Sequence, residues 1–258
     1  MSWESIALGY VTYLAVVAVS ARRFRRARGP TLAIAFAAWT VWAMTRHAPR
    51  SLSIEILVPA ACLLAGYWLS GLFFVAAMTR VERWLLRVDE RIGFSRGNCP
   101  RLLRDYFELA YVLVYAVVPA GAITLAIGGH ADAVPRFWSV VLLAEFVSYA
   151  MLPWVQTRPP RAIEALPAVV SSSSLRRFNL AVLGRASIQV NTLPSGHAAG
   201  AMATALAVTS VMPAAGVVFL VLAISIAVAT VMGRYHYVVD SVLGIVVAIG
   251  GWVLLGLT

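Results

Sequence analysis

An all-α, polytopic membrane helix bundle is the fold class this chain predicts, and three observations predict it. Apolar residues make up 61% of its 258 positions and charged residues only 12%, about half the roughly 25% of an average soluble domain. The mean hydropathy is +0.83. The apolar residues fall in runs near the ~20 residues that a helix needs to cross a ~30 Å hydrocarbon layer. No alternating strand pattern appears, and lipid leaves backbone polar groups no partner outside a helix or a closed barrel.

About eight such runs can be read along the chain by hydropathy. They lie near residues 4–20, 31–45, 53–78, 107–128, 137–156, 197–212, 214–233 and 238–257. The first follows Glu4 and ends at Arg22 and Arg23, so it reads as a retained helix rather than a cleaved signal. The second is short, and the topology count changes by one if it does not span. Between the third and fourth lies the polar stretch 79–106. Val81, Trp84, Leu85, Val88 and Ile92 repeat there at helical spacing, with Arg83, Arg87, Asp89, Glu90 and Arg91 expected on the opposite face. That pattern predicts an interfacial amphipathic helix in the headgroup layer. The loop 157–196 opens on Arg158-Pro159-Pro160-Arg161, carries a linker-like run Ser171–Ser174, and continues through Arg176, Arg177 and Arg185. It is placed to cover a headgroup as a lid.

The formal charge is +10 and every basic residue is arginine. With no soluble basic domain to carry it, this charge predicts no nucleic-acid partner. Cys62 and Cys99 give neither a disulfide framework nor metal spacing. The arginine-rich loops 22–28, 79–106 and 157–196 fall on one side of an eight-span model, which by loop charge is cytoplasmic. Arginines that bind phosphate would bias that count.

Two segments concentrate the chemistry. Leu193-Pro194-Ser195-Gly196-His197 opens one apolar run, and Arg234-Tyr235-His236-Tyr237-Val238-Val239-Asp240 joins the next two. A His and an Asp four residues apart share a helix face. The carboxylate then holds one imidazole nitrogen and leaves the other free to attack, while a second His from another helix protonates a leaving group. The structural alternatives are a helix-end His197 bonded to a carbonyl, a plain His236–Asp240 pair on a helix surface, and Arg158 and Arg234 anchoring helix ends in headgroups. Glu145, in the middle of a predicted span, must be neutral or paired. Tyr111, Tyr115 and Tyr149 are read as packing residues.

Taken in order, these segments resemble the type-2 phosphatidic acid phosphatase/vanadium haloperoxidase superfamily over roughly residues 140–258. That family's first motif is Lys, six residues, Arg-Pro; Arg158-Pro159 fits, and Met151 stands at the Lys position. Pro194-Ser195-Gly196-His197 is an intact second motif. The third is Ser-Arg, five residues, His, three residues, Asp; His236 and Asp240 fit, and Ala229-Thr230 replace Ser-Arg. Pro-Pro-Arg and His-Tyr also resemble the inositol phosphorylceramide synthase-like branch.

The resemblance implies one transmembrane domain. By hydropathy the chain divides into N-terminal helices over 1–78, the interfacial segment 79–106 and a core over 107–258, and the resemblance makes that core phosphatase-like and implies a six-helix catalytic core within the bundle. It also implies His236 as the nucleophile forming a phospho-histidine, Asp240 orienting it, and His197 as general acid. Arg158, Ser195 and Gly196 are implied phosphate ligands, and Arg161 and Arg234 are the substitutes for the two missing cations. No metal and no cofactor are implied.

Three functions follow as expectations. The first is a membrane lipid phosphatase acting on a lipid phosphate or pyrophosphate held in the bilayer. The second is a headgroup phosphotransferase using an alcohol acceptor. The third is a non-catalytic lipid binder or transporter. A bacterial cytoplasmic membrane is expected; the family's habit there is an outward-facing site, against the arginine count. Headgroup, tail and oligomeric state are not written in the sequence.

Overall fold

The computed structural model describes residues 1–93, 100–163 and 173–256. Cys99 and the first two residues of the Ser171–Ser174 run lie outside the described residues. The elements in chain order are α1 (Trp3–Ser20), α2 (Arg25–Thr45), α3 (Leu52–Gly71), α4 (Thr79–Ile92), α5 (Arg101–Val112), α6 (Val114–Ile127), α7 (Val134–Ala150), α8 (Ser174–Ala186), α9 (Gly196–Thr209), α10 (Pro213–Met232) and α11 (Val238–Gly256). No strand occurs among the described residues; a single isolated bridge pairs Thr157 with Asn191.

The protein is a polytopic helical membrane bundle, with fewer full-length spans than the hydropathy runs suggest. α1, α3, α7 with its preceding turn, α10 and α11 are long and apolar enough to cross a bilayer. The pair α5–α6, bent by 56°, makes a sixth if it is one span. Two of the eight expected runs fall short. α2 opens with Arg25, Arg26 and Arg28, so its apolar part is the brief run after Pro30. α9 has 14 residues, and at ~1.5 Å per residue it reaches only about 21 Å. The fifth run also ends early: α7 stops at Ala150, and the chain beyond it is irregular. There Gln156 accepts from Val75 N (2.7 Å) and Ala76 N (3.1 Å) and donates to Phe73 O (3.0 Å).

α9 is the central rod, packed on α6, α7, α10 and α11. Its sequence GHAAGAMATALAVT is built from small side chains, which let neighbouring backbones approach closely where lipid provides no hydrophobic drive. α10 and α11 both come close: a Cβ on Gly216 would lie 2.4 Å from Thr209 Cα, and one on Gly244 would lie 2.5 Å from Ser195 O. α1 and α3 flank α7, and α5 lies against α10 and α8.

α4 departs from expectation. Its amphipathic pattern is present, but Asp89 is not on the exposed charged face. Glu82, Leu85 and Asp89 are buried against the rest of the protein. These three recur at i, i+3 and i+7, one helix face, and the two acids find partners there, as described below. Trp84 and Ile92 are about half exposed (48% and 51%). The stretch 100–106, expected to belong to the interfacial segment, is the start of α5.

Candidate active site

Ser195 ends the extended Leu193–Ser195 segment and caps α9: its hydroxyl accepts from Ala198 N (3.3 Å), the usual service of a serine at that position. The next residues, Gly196 and His197, are therefore the first two of the helix, which aims the imidazole out of the first turn. Ser195 N donates to Asp240 O (2.9 Å), so the cap is fastened to α11. Asp240, in the first turn of α11, accepts from Tyr237 N through Oδ2 (3.0 Å). This is the reciprocal half of a capping box, and it fixes the carboxylate beside His236.

The turn between α10 and α11 presents His236. Gly233 is glycine of necessity, since a Cβ would lie 2.2 Å from the Tyr235 ring. Arg234 adopts left-handed backbone (φ 59°), a conformation that costs a non-glycine residue energy and persists when its surroundings enforce it. Tyr235 N and His236 N both donate to Thr230 O (2.8 and 2.9 Å).

His236 Nδ1 lies 3.4 Å from Asp240 Oδ2. This is an approach longer than a well-formed hydrogen bond, and His236 Nδ1 and Asp240 Oδ1 are both buried without a hydrogen-bond partner among the described residues. The His236 and His197 rings are 5.5 Å apart, edge to face. His197 Nε2 is 3.2 Å from Tyr111 Oη. The three residues singled out in the sequence therefore converge. Burial, with Arg161 adding to it, lowers the His236 pKa to about 3, so the imidazole is neutral at physiological pH.

The expected phosphate ligands are distributed unevenly. Arg161 is the cation whose field reaches both imidazoles. Its guanidinium lies 5.3 Å over the Tyr235 ring, and its Nη1 is 3.4 Å from Tyr235 O. Arg158 is turned to α4: Nε and Nη2 donate to the two carboxylate oxygens of Glu82 (3.0 and 2.9 Å), and Arg158 N donates to Glu82 Oε1 (2.8 Å). Its fork thus holds a protein carboxylate. Burial alone would raise the Glu82 pKa, but the bonds from Arg158 outweigh it and hold the carboxyl below its ordinary value. Arg234 faces the charges of Asp89 and Glu90 on α4. The Gly196 amide donates to Thr192 Oγ1 (3.2 Å).

A family model for the PAP2 superfamily matches residues 78–254. The chain belongs to the PAP2 superfamily, the type-2 phosphatidic acid phosphatases. Comparison with curated proteins and with solved structures returned no match. Membership points to a phosphatase or phosphotransferase type of activity.

The PAP2 match begins at residue 78, well before the roughly 140 from which the motifs alone are recognisable, and so takes in α4 to α6. The site explains why. α4 holds Arg158 through Glu82, and Asp89 Oδ1 accepts from Val238 N (3.0 Å) at the start of α11. α5 supplies Tyr111 and a buried acid, Glu108. Glu108 accepts from Arg176 Nη1 (2.9 Å), Asn179 Nδ2 (2.5 Å) and Tyr235 Oη (2.7 Å). Arg176, wholly buried, also donates to Gly233 O (2.6 Å) and lies 4.6 Å over the Tyr235 ring. Tyr235 stacks on Tyr111 at 3.6 Å. This assembly clamps the turn that carries His236. Nothing in the spacing of Glu108, Tyr111, Arg176 and Asn179 points to it; only Arg176 stood out, as one loop arginine among several. Tyr111, read from sequence as packing, touches His197.

Where PAP2 proteins carry Lys and Arg, Met151 is partly exposed and Thr230 is buried. Thr230 Oγ1 bonds Ser241 Oγ (2.7 Å), joining α10 to α11 in place of a cation. Glu145 lies against α9: Cβ atoms on Gly196 and Gly200 would fall 2.7 and 2.0 Å from its carboxylate oxygens. Its Oε2 has no hydrogen-bond partner among the described residues.

Proposed function

We propose that this protein is a membrane lipid phosphatase that works through a phospho-histidine, without a metal ion. The observation that carries the reading is the pair of imidazoles 5.5 Å apart, one backed by Asp240 and both within the field of Arg161. The neutral His236 attacks phosphorus through Nε2. The P–O bond to the lipid breaks, and His197, protonated once the anionic phosphate sits beside it, gives that proton to the departing alkoxide. Asp240 supports the positive imidazole that forms. Water then attacks phosphorus, passes its proton to His197, and inorganic phosphate leaves as the P–N bond breaks. Arg161 is the principal cation for the equatorial oxygens, a charge-stabilising role that phosphoryl transfer depends on. The lipid tail stays in the bilayer.

The test is a panel of lipid phosphates and pyrophosphates on purified protein, with chelator present throughout. Phosphate release is expected, with vanadate inhibiting. His236→Ala should reduce turnover by about a thousandfold or more and abolish a phosphoenzyme trapped by alkaline quench. Full turnover in His236→Ala would falsify the proposal. Turnover only when an acceptor alcohol is supplied would assign the protein to headgroup transfer instead.

A further inference from the structure

α4 has three faces of different chemistry. Glu82, Leu85 and Asp89 are buried against the protein. Trp84 and Ile92 are exposed apolar residues about two turns apart. Arg80, Arg83 and Arg87 recur at i, i+3 and i+7 and, with Leu86 and Glu90, line a groove open to the outside. All three arginines are exposed. Among the described residues none of them takes part in an ion pair, and their one hydrogen bond there runs from Arg83 Nε to Thr79 O of the same helix (3.4 Å). Three guanidiniums thus share a groove with one carboxylate, beside an apolar stripe suited to the acyl boundary.

We propose that this groove binds the headgroup of an anionic bilayer lipid, as a ligand separate from the substrate, and that the bound lipid steadies α4 against the site. Charge complementarity argues for the occupant: the phosphate of an anionic headgroup matches guanidinium forks, and basic residues beside an amphipathic helix attract acidic lipid. A zwitterionic headgroup brings its own cation and loses that advantage. The same helix holds Arg158 through Glu82 and the start of α11 through Asp89. Fixing its outer face therefore orders residues next to His236. The binding claim does not rest on the proposed reaction.

The test uses the full-length protein in detergent, titrated with phosphatidylglycerol or phosphatidylcholine and followed by native mass spectrometry. Phosphatidylglycerol should be retained in excess. The variant R80Q/R83Q/R87Q, with helix-compatible exposed substitutions, should lose one retained lipid and bind at least about tenfold more weakly. Arginine-to-lysine changes at the same positions, which keep the charge and lose the fork, should bind between the wild type and the glutamine variant, and R25Q/R26Q on α2 should leave this lipid in place. In nanodiscs, hydrogen exchange over residues 78–92 and 236–242 should slow with phosphatidylglycerol only. Equal retention of both lipids, an excess that survives the triple substitution, or protection that rises equally with either lipid overturns the proposal. So does displacement of the excess lipid by vanadate, which would put it in the histidine site.

Discussion

His236 and Asp89 are the two residues whose environments set how the site meets pH. Burial first, and Arg161 second, hold His236 at about 3. The proposed nucleophile therefore stays neutral, and no loss of activity from its protonation is expected between pH 7 and 5; a pH–rate profile of the wild type checks this. Asp89 moves the other way. Burial raises it to about 6, against the Val238 amide and Arg234, which lower it. A carboxyl raised above its unfolded value contributes stability that is full below the unfolded pKa and lost as pH rises through the folded one. Stability tied to Asp89 should thus decline between about pH 4 and 6. Asp89→Asn should flatten that part of a melting-temperature profile and hold its melting temperature at pH 7. Asp240→Asn keeps the size but removes the charge facing His236 Nδ1. Turnover should fall by about a hundredfold or more with little change in KM.

Helices α5, α8 and α11 position the catalytic turn without touching phosphorus. Glu108 is the shared acceptor for Arg176, Asn179 and Tyr235, so breaking it leaves a buried guanidinium uncompensated. Glu108→Ala should cost about 3–5 kcal/mol, read as a fall in the unfolding midpoint in detergent. Tyr235→Phe keeps the stack on Tyr111 and removes one hydrogen bond, a loss of about 1 kcal/mol. At α11, Gly244 stands 2.5 Å (as a Cβ) from Ser195 O. Gly244→Val must part α9 from α11 and pull Asp240 away from the Ser195 cap. It should cost about 1–3 kcal/mol and remove most of the activity even where the protein remains folded.

At the scale of the whole molecule, the bundle is organised around one short helix. α9 is too short to span on its own, and its first turn is where the His197, Asp240 and Glu145 elements meet. The apolar helices α1, α3 and α7 support it from one side and α10 and α11 from the other. α4 and α5, polar by composition, close the site from outside the apolar rods. A PAP2 protein arranged this way should lose both stability and turnover together when α4 is detached. Glu82→Ala frees Arg158 and is expected to raise protease sensitivity across 78–92 while the apolar helices stay protected, measurable by limited proteolysis.

The amino-acid sequence by itself determined the membrane class, the helical architecture and the His197–His236–Asp240 set that the fold brings together. These rest on local quantities: apolar run length, i,i+4 spacing and intact short motifs. It also placed an amphipathic helix in the first half of 79–106, though not which face the protein would cover. Tertiary structure alone decided that Asp89 turns inward, that Arg158 pairs with Glu82, that Arg161 is the cation reaching both histidines, and that Glu108, Arg176 and Tyr111 frame the turn. The pairings of Asp89, Arg158 and Arg176 each join a charged group to a partner 68 to 149 residues away in the chain. In a low-dielectric interior an unpartnered charge is expensive enough to override the face that periodicity alone would assign it.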